Sequence, residues 1–176
     1  KAVGEQIGKE FARAARSRVK RQLLDQLADR HSFAVPPGMV DIEFDNIWKS
    51  VEEARKRGDD DPTIKGKSDE QLKADFKGIS ERRVRLGLLL SEVGRVNNLQ
   101  VSEEEVNRSL IEEARRFPGQ ERKIIEYYRS QPEALAQLRA PLFEDKVVDF
   151  ILEMANVTEK SVTPDELMRD DDEAKA

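Results

Sequence analysis

The spacing of the apolar residues is the feature that most constrains the fold of this chain. These residues recur at intervals of three and four, and almost nowhere at intervals of two, which is the pattern of amphipathic helices rather than of strands. In the first segment the apolar stripe runs in steps of four from Val3 through Ile7 and Phe11 as far as Leu27. The sequence therefore predicts an all-α fold of helices joined by short breaks.

Proline and glycine mark the ends of the first two helices. Proline lacks an amide donor and disfavours helix in the residue before it, so Pro36 and Pro37 predict that the first helix ends near His31. The imidazole of His31 fits a helix-end role, because a cationic side chain suits the negative end of the helix dipole. Pro37 is suited to the first turn of a second helix, and Gly58 is suited to its end.

Capping boxes predict where three later helices begin. In this motif a serine or threonine is followed three residues later by glutamate or glutamine, and each side chain accepts a hydrogen bond from the other residue's backbone amide. The pairs are Ser68 with Gln71, Ser102 with Glu105, and Thr163 with Glu166. Between the last two boxes, Pro118 and Gly119 predict a break, and Pro141 predicts a kink or a division into two helices.

The second and third helices are expected to form an antiparallel hairpin with its tip near Asp60, because a polar loop of only about ten residues joins them. Both helices carry apolar residues away from their main stripes, such as Ile42 and Leu88. A two-helix hairpin cannot bury all of these, so they need either the body of the protein or an outside partner, and where they stay exposed they indicate an interaction surface. Gly87 and Gly94 share one face of the third helix and predict close approach by another backbone.

The charge balance argues against a general nucleic-acid binder. The 176 residues include 31 Lys and Arg against 36 Asp and Glu, a net charge of −5, whereas phosphate binding requires a basic surface. The longest apolar run, residues 88–90, is far shorter than the roughly 20 residues that span a bilayer. No signal-peptide pattern opens the sequence, so we expect a cytoplasmic protein with no membrane partner. The start on Lys1 within helical sequence indicates a piece of a longer protein, and the acidic residues 170–176 are expected to form a disordered tail.

The residue types that most catalytic and metal sites require are missing. The chain has no cysteine, so it has no thiolate zinc site and no thiol nucleophile, and the single His31 cannot build a catalytic triad or a two-histidine metal site. Glycine-rich phosphate loops between a strand and a helix are also missing. We therefore predict no enzyme activity, no cofactor and no metal.

Short segments spread over nearly the whole chain form an ordered set. They are residues 18–27 (RVKRQLLDQL) with 33–36 (FAVP), 87–93 (GLLLSEV), 101–106 (VSEEEV), 124–128 (IIEYY), and 157–160 (VTEK) with 166–168 (ELM). In this order and at this spacing the set resembles the C-terminal domain of the trigger factor family, whose members are bacterial ribosome-associated chaperones.

The resemblance implies an elongated helical body with two arms that cradle unfolded or nascent polypeptide without ATP. The hairpin at about residues 37–98 would be one arm and about residues 102–141 the other, within a single domain over residues 1–169. The family's ribosome-docking domain and prolyl-isomerase domain match nothing in this sequence. The resemblance therefore implies contact with the ribosome, and isomerase activity, only through parts of the family's proteins that this sequence lacks.

A chaperone that holds many different clients needs adaptable apolar contacts with polar rims. Four large side chains cluster around the break at Pro118, where a short helix cannot bury them all. These predicted client contacts are Phe117, Ile124, Tyr127 and Tyr128. On the first arm the candidates are Met39, Phe44, Trp48, Leu72 and Phe76, each of which also fits packing inside the arm.

Two other hypotheses stay open at this point. The helical core of a periplasmic foldase family has a similar fold. A passive helical scaffold or dimerisation module would instead bury its apolar stripes against a second copy, and self-association that rises with concentration would favour it.

Overall fold

The computed structural model of the chain describes residues 2–58, 64 and 66–168. Within these residues the regular structure is entirely helical, which confirms the all-α prediction. The helices are α1 (Ala2–Arg30), α2 (Pro37–Arg57), α3 (Asp69–Val96), α4 (Glu103–Ala114), α5 (Glu121–Ser130), α6 (Pro132–Met154) and α7 (Pro164–Met168). The predicted hairpin tip near Asp60 and the acidic tail at residues 170–176 lie outside the described residues.

The capping signals are confirmed at the helix ends. Ser68 and Gln71 exchange hydrogen bonds at the start of α3, with the Ser68 amide donating to Gln71 Oε1 at 3.0 Å. The boxes that begin at Ser102 and Thr163 form in the same way before α4 and α7. At the end of α2, Gly58 adopts a left-handed φ of 73°, and its amide donates to the carbonyl groups of the last turn.

The helix break predicted at Pro118 and Gly119 is found but begins earlier in the sequence, whereas the division predicted at Pro141 is not found. α4 ends at Ala114, before Pro118, and a series of turns follows in which Gly119 takes a positive φ of 83°. Pro141 does not divide the helix, because α6 continues through it. The cost of a proline inside a helix, about 3 kcal/mol, must therefore be offset by the packing of α6.

The chain divides into two compact units. We call Arg21–Ser91 the hairpin unit, and Lys1–Lys20 with Glu92–Ala176 the α4–α6 unit. The single domain over residues 1–169 stays a prediction.

In the hairpin unit α2 and α3 run antiparallel. Arg55 near the end of α2 pairs with Asp69 at the start of α3 at 2.9 Å, and Glu43 near the start of α2 pairs with Arg83 further along α3 at 3.0 Å. The ammonium group of Lys73 lies 5.3 Å from the ring centroid of Trp48, between these two pairs. Buried residues between the two helices and beside them are Val40, Val51, Leu72, Ser80, Val84 and Leu90.

In the α4–α6 unit α4, α5 and α6 pack against one another. Its buried hydrophobic side chains are those of Val106, Leu110, Ala114, Ala134, Val147 and Val148. Ion pairs join the first part of α1 to α6: Arg16 lies 2.5 Å from Asp149, and the ammonium group of Lys20 lies 2.7 Å from a carboxylate oxygen of Glu144.

The two glycines of α3 that share a face have different surroundings. Gly94 is buried against the ring of Phe143 on α6, so close that a methyl group at Gly94 would overlap the ring. The predicted close approach is therefore made at Gly94 by an aromatic side chain and not by a backbone. No atom lies within 4 Å of the space that a methyl group would fill at Gly87.

Replacing Gly94 with alanine is expected to lower the free energy of unfolding by about 1–3 kcal/mol, because the added methyl group displaces the ring of Phe143 that packs on the buried Gly94. Gly78→Ala is the matched control, since it lies in the same helix with open space around the added methyl group. Alanine there should stabilise the protein by about 0.8–1.0 kcal/mol through helix propensity. Urea unfolding followed by circular dichroism measures both, and equal stabilisation of the two variants would contradict the close packing at Gly94.

Candidate functional site

Large apolar side chains are exposed around the connection between α4 and α5. Ile111 on α4 is 47 % exposed, Phe117 in the connecting turns is 43 % exposed, and Tyr127 on α5 is 56 % exposed. We call these three residues the α4–α5 surface. Because isolated exposed apolar residues are common on proteins whereas several large ones in one connected stretch of chain are less so, this region is a candidate binding surface.

The amphipathic pattern of α5 decides which of its side chains reach this surface. Ile124 and Tyr128 lie one turn apart and are half-buried, as expected for the face that packs on α4 and α6. Tyr127 points away from that face, and its ring meets the ring of Tyr128 edge-on at a centroid distance of 5.6 Å. The half-buried Tyr128 therefore supports Tyr127, which is the more accessible of the two.

The second candidate is an apolar groove between α2 and α3, with a volume of about 440 Å³. It is lined by Met39, Ile42, Glu43, Arg83, Val84, Gly87, Leu88 and Ser91, and we call it the α2–α3 groove. Ile42 is 65 % exposed and Met39 is 43 % exposed. The missing side chain at Gly87 helps to keep the groove open.

The ion pair between Glu43 and Arg83 lies in the lining of this groove. It brings α2 and α3 together at one side of the apolar residues and keeps two charges at the groove. An apolar groove with a charged rim is the arrangement that a soluble binding surface requires, since the rim limits the size of the exposed apolar patch.

The other predicted contacts on the hairpin are less accessible. Phe44 and Trp48 stack with ring centroids 5.9 Å apart, and both are half-buried. The indole N–H of Trp48 donates to Glu52 at 3.0 Å, and the guanidinium of Arg55 lies 5.8 Å from the ring centroid. Phe76 is also half-buried.

Leu72 is fully buried in the hairpin unit, and its exposed fraction is 0 %. A side chain with no exposed area cannot contact a partner while the hairpin is folded, so Leu72 belongs to the core and we remove it from the candidate contacts. The apolar stripe of α3 could not separate the two roles, because core and surface leucines occur at the same helical spacing.

Sequence reasoning noted Ile42 and Leu88 as off-stripe residues, but it placed neither of them, nor Ile111, among the candidate contacts. The signal for Ile42 was present, because it lies off the stripe that contains Val40 and Phe44. Ile111 follows the buried Leu110 directly and so must point in another direction from the same helix.

A larger cavity of about 520 Å³ lies along α4 and α6, but charged groups dominate its lining. Three of its carboxylates already have partners: Glu105 pairs with Lys146, Asp145 with Lys20, and Asp149 with Arg16. These pairs tie helices together, so the cavity is a weaker candidate than the two apolar surfaces.

In the part of the chain that the structure describes, no three His, Asp or Glu side chains gather closely enough to hold a metal ion. Among the same residues, none of the helices combines the length and apolar character needed to cross a bilayer.

Comparison with known proteins identifies the family to which this chain belongs. A family model described as the bacterial trigger factor protein C-terminus matches residues 1–153. Trigger factor of Azospirillum brasilense is 59 % identical over 156 residues, which cover 89 % of this chain and 35 % of that protein. Trigger factor of Rhodospirillum centenum is 52 % identical over 172 residues, covering 98 % of this chain and 38 % of that protein.

Trigger factor of Paramagnetospirillum magneticum is 51 % identical over 175 residues, which cover 99 % of this chain and 38 % of that protein. The chain thus spans little more than a third of the length of the curated relatives it matches. Together with the ordered segments and the all-α fold, these matches show that the chain belongs to the trigger factor family, within the C-terminal part that the family model describes.

Proposed function

We propose that this chain is a chaperone segment that binds unfolded or nascent polypeptides without ATP, through the α4–α5 surface and the α2–α3 groove. The proposal rests on one observation: large apolar side chains at both places are between 43 % and 65 % exposed in the folded chain. Family membership supports it. We propose no catalytic step for this chain, and contact with the ribosome, and isomerase activity, would require other parts of the family's longer proteins. A cytoplasmic location is part of the same proposal.

Two separate weak surfaces suit a chaperone that releases its clients without nucleotide. Burying one large apolar side chain contributes about 1.5–3 kcal/mol, so each surface alone binds weakly. An unfolded chain that reaches both gains through effective concentration, while each single contact still breaks quickly. The charged residues, 38 % of the chain, help to keep the free protein in solution between clients.

Aggregation of insulin after reduction by dithiothreitol is a suitable first test. The chain has no cysteine, so the reductant leaves it unchanged. Suppressed light scattering at near-equal molarity and without nucleotide would support the proposal. If the chain stays folded and scattering is unaffected, the proposal fails, and a molecular mass that rises with concentration would then favour the scaffold or dimerisation hypothesis.

Replacing both Phe117 and Tyr127 with serine should weaken suppression. The loss of two partly exposed apolar contacts is expected to raise the concentration for half suppression by about tenfold, which corresponds to about 1.4 kcal/mol. Because both side chains are exposed, helicity and the unfolding midpoint should change little.

The matched control replaces Met154 and Val157 with serine. These two residues are exposed apolar positions of the same unit but lie beyond the α4–α5 surface. Equal weakening in the control would mean that general surface apolarity, and not this surface, holds the client. A large loss of the far-ultraviolet helical signal in the Phe117 and Tyr127 variant would assign these residues to the core.

A further inference from the structure

The sulfur chemistry of this chain is confined to methionine. The sequence has no cysteine and three methionines, and a thioether is the group that mild oxidants such as hydrogen peroxide attack when no thiol is present. Methionine is usually among the buried residue types, yet here Met39 is 43 % exposed, Met154 is 72 % exposed and Met168 is 62 % exposed. Each of the three methionine residues is therefore in contact with solvent and with any peroxide dissolved in it.

Met39 differs from the other two in its surroundings. It lies in the first turn of α2, where its amide donates to the Pro36 carbonyl at 3.0 Å, and its side chain lines the α2–α3 groove. Met154 ends α6 and Met168 ends α7, both in the other unit. The apolar part of the groove consists of Met39, Ile42, Val84 and Leu88, so Met39 is a large share of its apolar lining.

We propose that Met39 is a reversible oxidation site that switches off apolar binding in the α2–α3 groove. In the forward step a lone pair of the Met39 sulfur attacks one oxygen of hydrogen peroxide and the O–O bond breaks. The proton on the transferred oxygen passes to the departing hydroxide, which leaves as water. The sulfur is oxidised by two electrons to the sulfoxide, and the peroxide is reduced. In the reverse step a methionine sulfoxide reductase, supplied with thiols, returns the thioether, the oxygen leaves as water and the thiols become a disulfide. The effect on clients rests on the function proposed above.

The sulfoxide changes what the groove can bind without unfolding the hairpin. Its oxygen is a strong hydrogen-bond acceptor, and covering it with an apolar segment removes it from water without giving it a donor. In the free protein the same oxygen stays hydrated, because Met39 is partly exposed. Oxidation is therefore expected to weaken binding in the groove while the helical content stays unchanged.

Three forms of the chain separate this effect from general oxidation: the unaltered chain, Met39→Leu, and a variant with both Met154→Leu and Met168→Leu. Leucine keeps an apolar side chain of similar size but has no sulfur to oxidise. Each form is treated with hydrogen peroxide, freed of it, mapped by mass spectrometry for sulfoxide at each methionine, and tested for suppression of insulin aggregation.

We expect peroxide to weaken suppression by the unaltered chain and by the double variant by up to about tenfold, and to leave Met39→Leu nearly unaffected. Reduction by methionine sulfoxide reductases should restore the suppression of aggregation. The Met39→Gln variant, which has a polar side chain of similar length, should suppress aggregation only weakly before any oxidation. The proposal is overturned if Met39→Leu loses as much as the unaltered chain, or if Met39 is fully oxidised in the double variant and suppression does not change.

A second readout keeps this test independent of the proposed function. Fluorescence of the apolar dye anilinonaphthalene sulfonate reports binding to exposed apolar surface whether or not the chain holds clients. If the untreated chain fails to suppress aggregation, the proposed function fails. The proposed oxidation site is then supported if peroxide lowers dye binding by the unaltered chain but not by Met39→Leu. It is ruled out if peroxide lowers dye binding equally in both.

Discussion

Replacing Leu72 with alanine is expected to lower the free energy of unfolding by about 2–5 kcal/mol, because it leaves a cavity that surrounding side chains fill only in part. Leu72 is fully buried in the hairpin unit. The chain has a single tryptophan, Trp48, which lies in the same unit and contacts Lys73, the neighbour of Leu72. Urea unfolding followed by Trp48 fluorescence should therefore show the loss as a lower midpoint with a similar slope.

Ile42→Ala is the matched control for this prediction. Ile42 lies in the same unit, but 65 % of it is exposed, so its truncation should change stability by no more than about 0.5 kcal/mol. It should instead weaken the suppression of aggregation, because it removes part of the α2–α3 groove. If Leu72→Ala leaves the midpoint unchanged and weakens suppression as Ile42→Ala does, then Leu72 is a binding residue and its assignment to the core is wrong.

Most helix ends in this chain could be predicted from sequence because the forces that set them are local. A capping box needs only residues three apart, as at Ser102 and Glu105, and a left-handed helix end needs only glycine, as at Gly58. Both are satisfied within one turn of the backbone. The all-α fold class could be predicted for the same reason, because a spacing of three and four between apolar residues is set within each single helix.

The rotation of each helix about its axis could not be predicted in this way. It decides that Leu72 is buried and Ile42 is exposed, although both belong to apolar sets on their helices. Contacts between residues far apart in the sequence, such as the pair of Glu43 with Arg83, fix that rotation in the hairpin. A periodic pattern identifies the apolar faces of a helix but does not say which of them its partner covers.

The same reasoning applies to Gly94 and Pro141. The glycine predicted a close contact, but only the fold shows that Phe143, on a helix far along the chain, makes it. The local cost of Pro141 predicted a kink or a division of α6, and the division is not found, because the helix continues through Pro141. In both places the residues adjacent in sequence do not determine the outcome.

Acidification is expected to loosen the α4–α6 unit through Glu105. Lys146 donates to the Glu105 carboxylate at 2.8 Å and the Ser102 amide donates to it at 2.7 Å, and these bonds lower the pKa of Glu105 from 4.5 to about 2. A carboxyl group whose pKa is lower in the folded state stabilises the fold above its unfolded pKa. That contribution is lost as the pH falls, so the thermal unfolding midpoint should drop between about pH 5 and about pH 2.

Glu105→Gln tests this directly. The amide oxygen of glutamine can still accept the Ser102 hydrogen bond at the start of α4, but the charge that attracts Lys146 is gone. The variant should melt at a lower temperature than the unaltered chain at about pH 7, and the difference should shrink as the pH falls toward about 2, where the unaltered chain has also lost that charge.

Glu104→Gln is the matched control, because it removes the same charge from the same helix turn at an exposed neighbour. It should leave the pH dependence close to that of the unaltered chain. Lys146 also donates to the Gln100 carbonyl at 2.7 Å, so its ammonium group ties α6 to the segment before α4 as well as to Glu105. If Glu105→Gln and Glu104→Gln melt alike at every pH, the contact between Lys146 and Glu105 adds nothing to the stability of this unit.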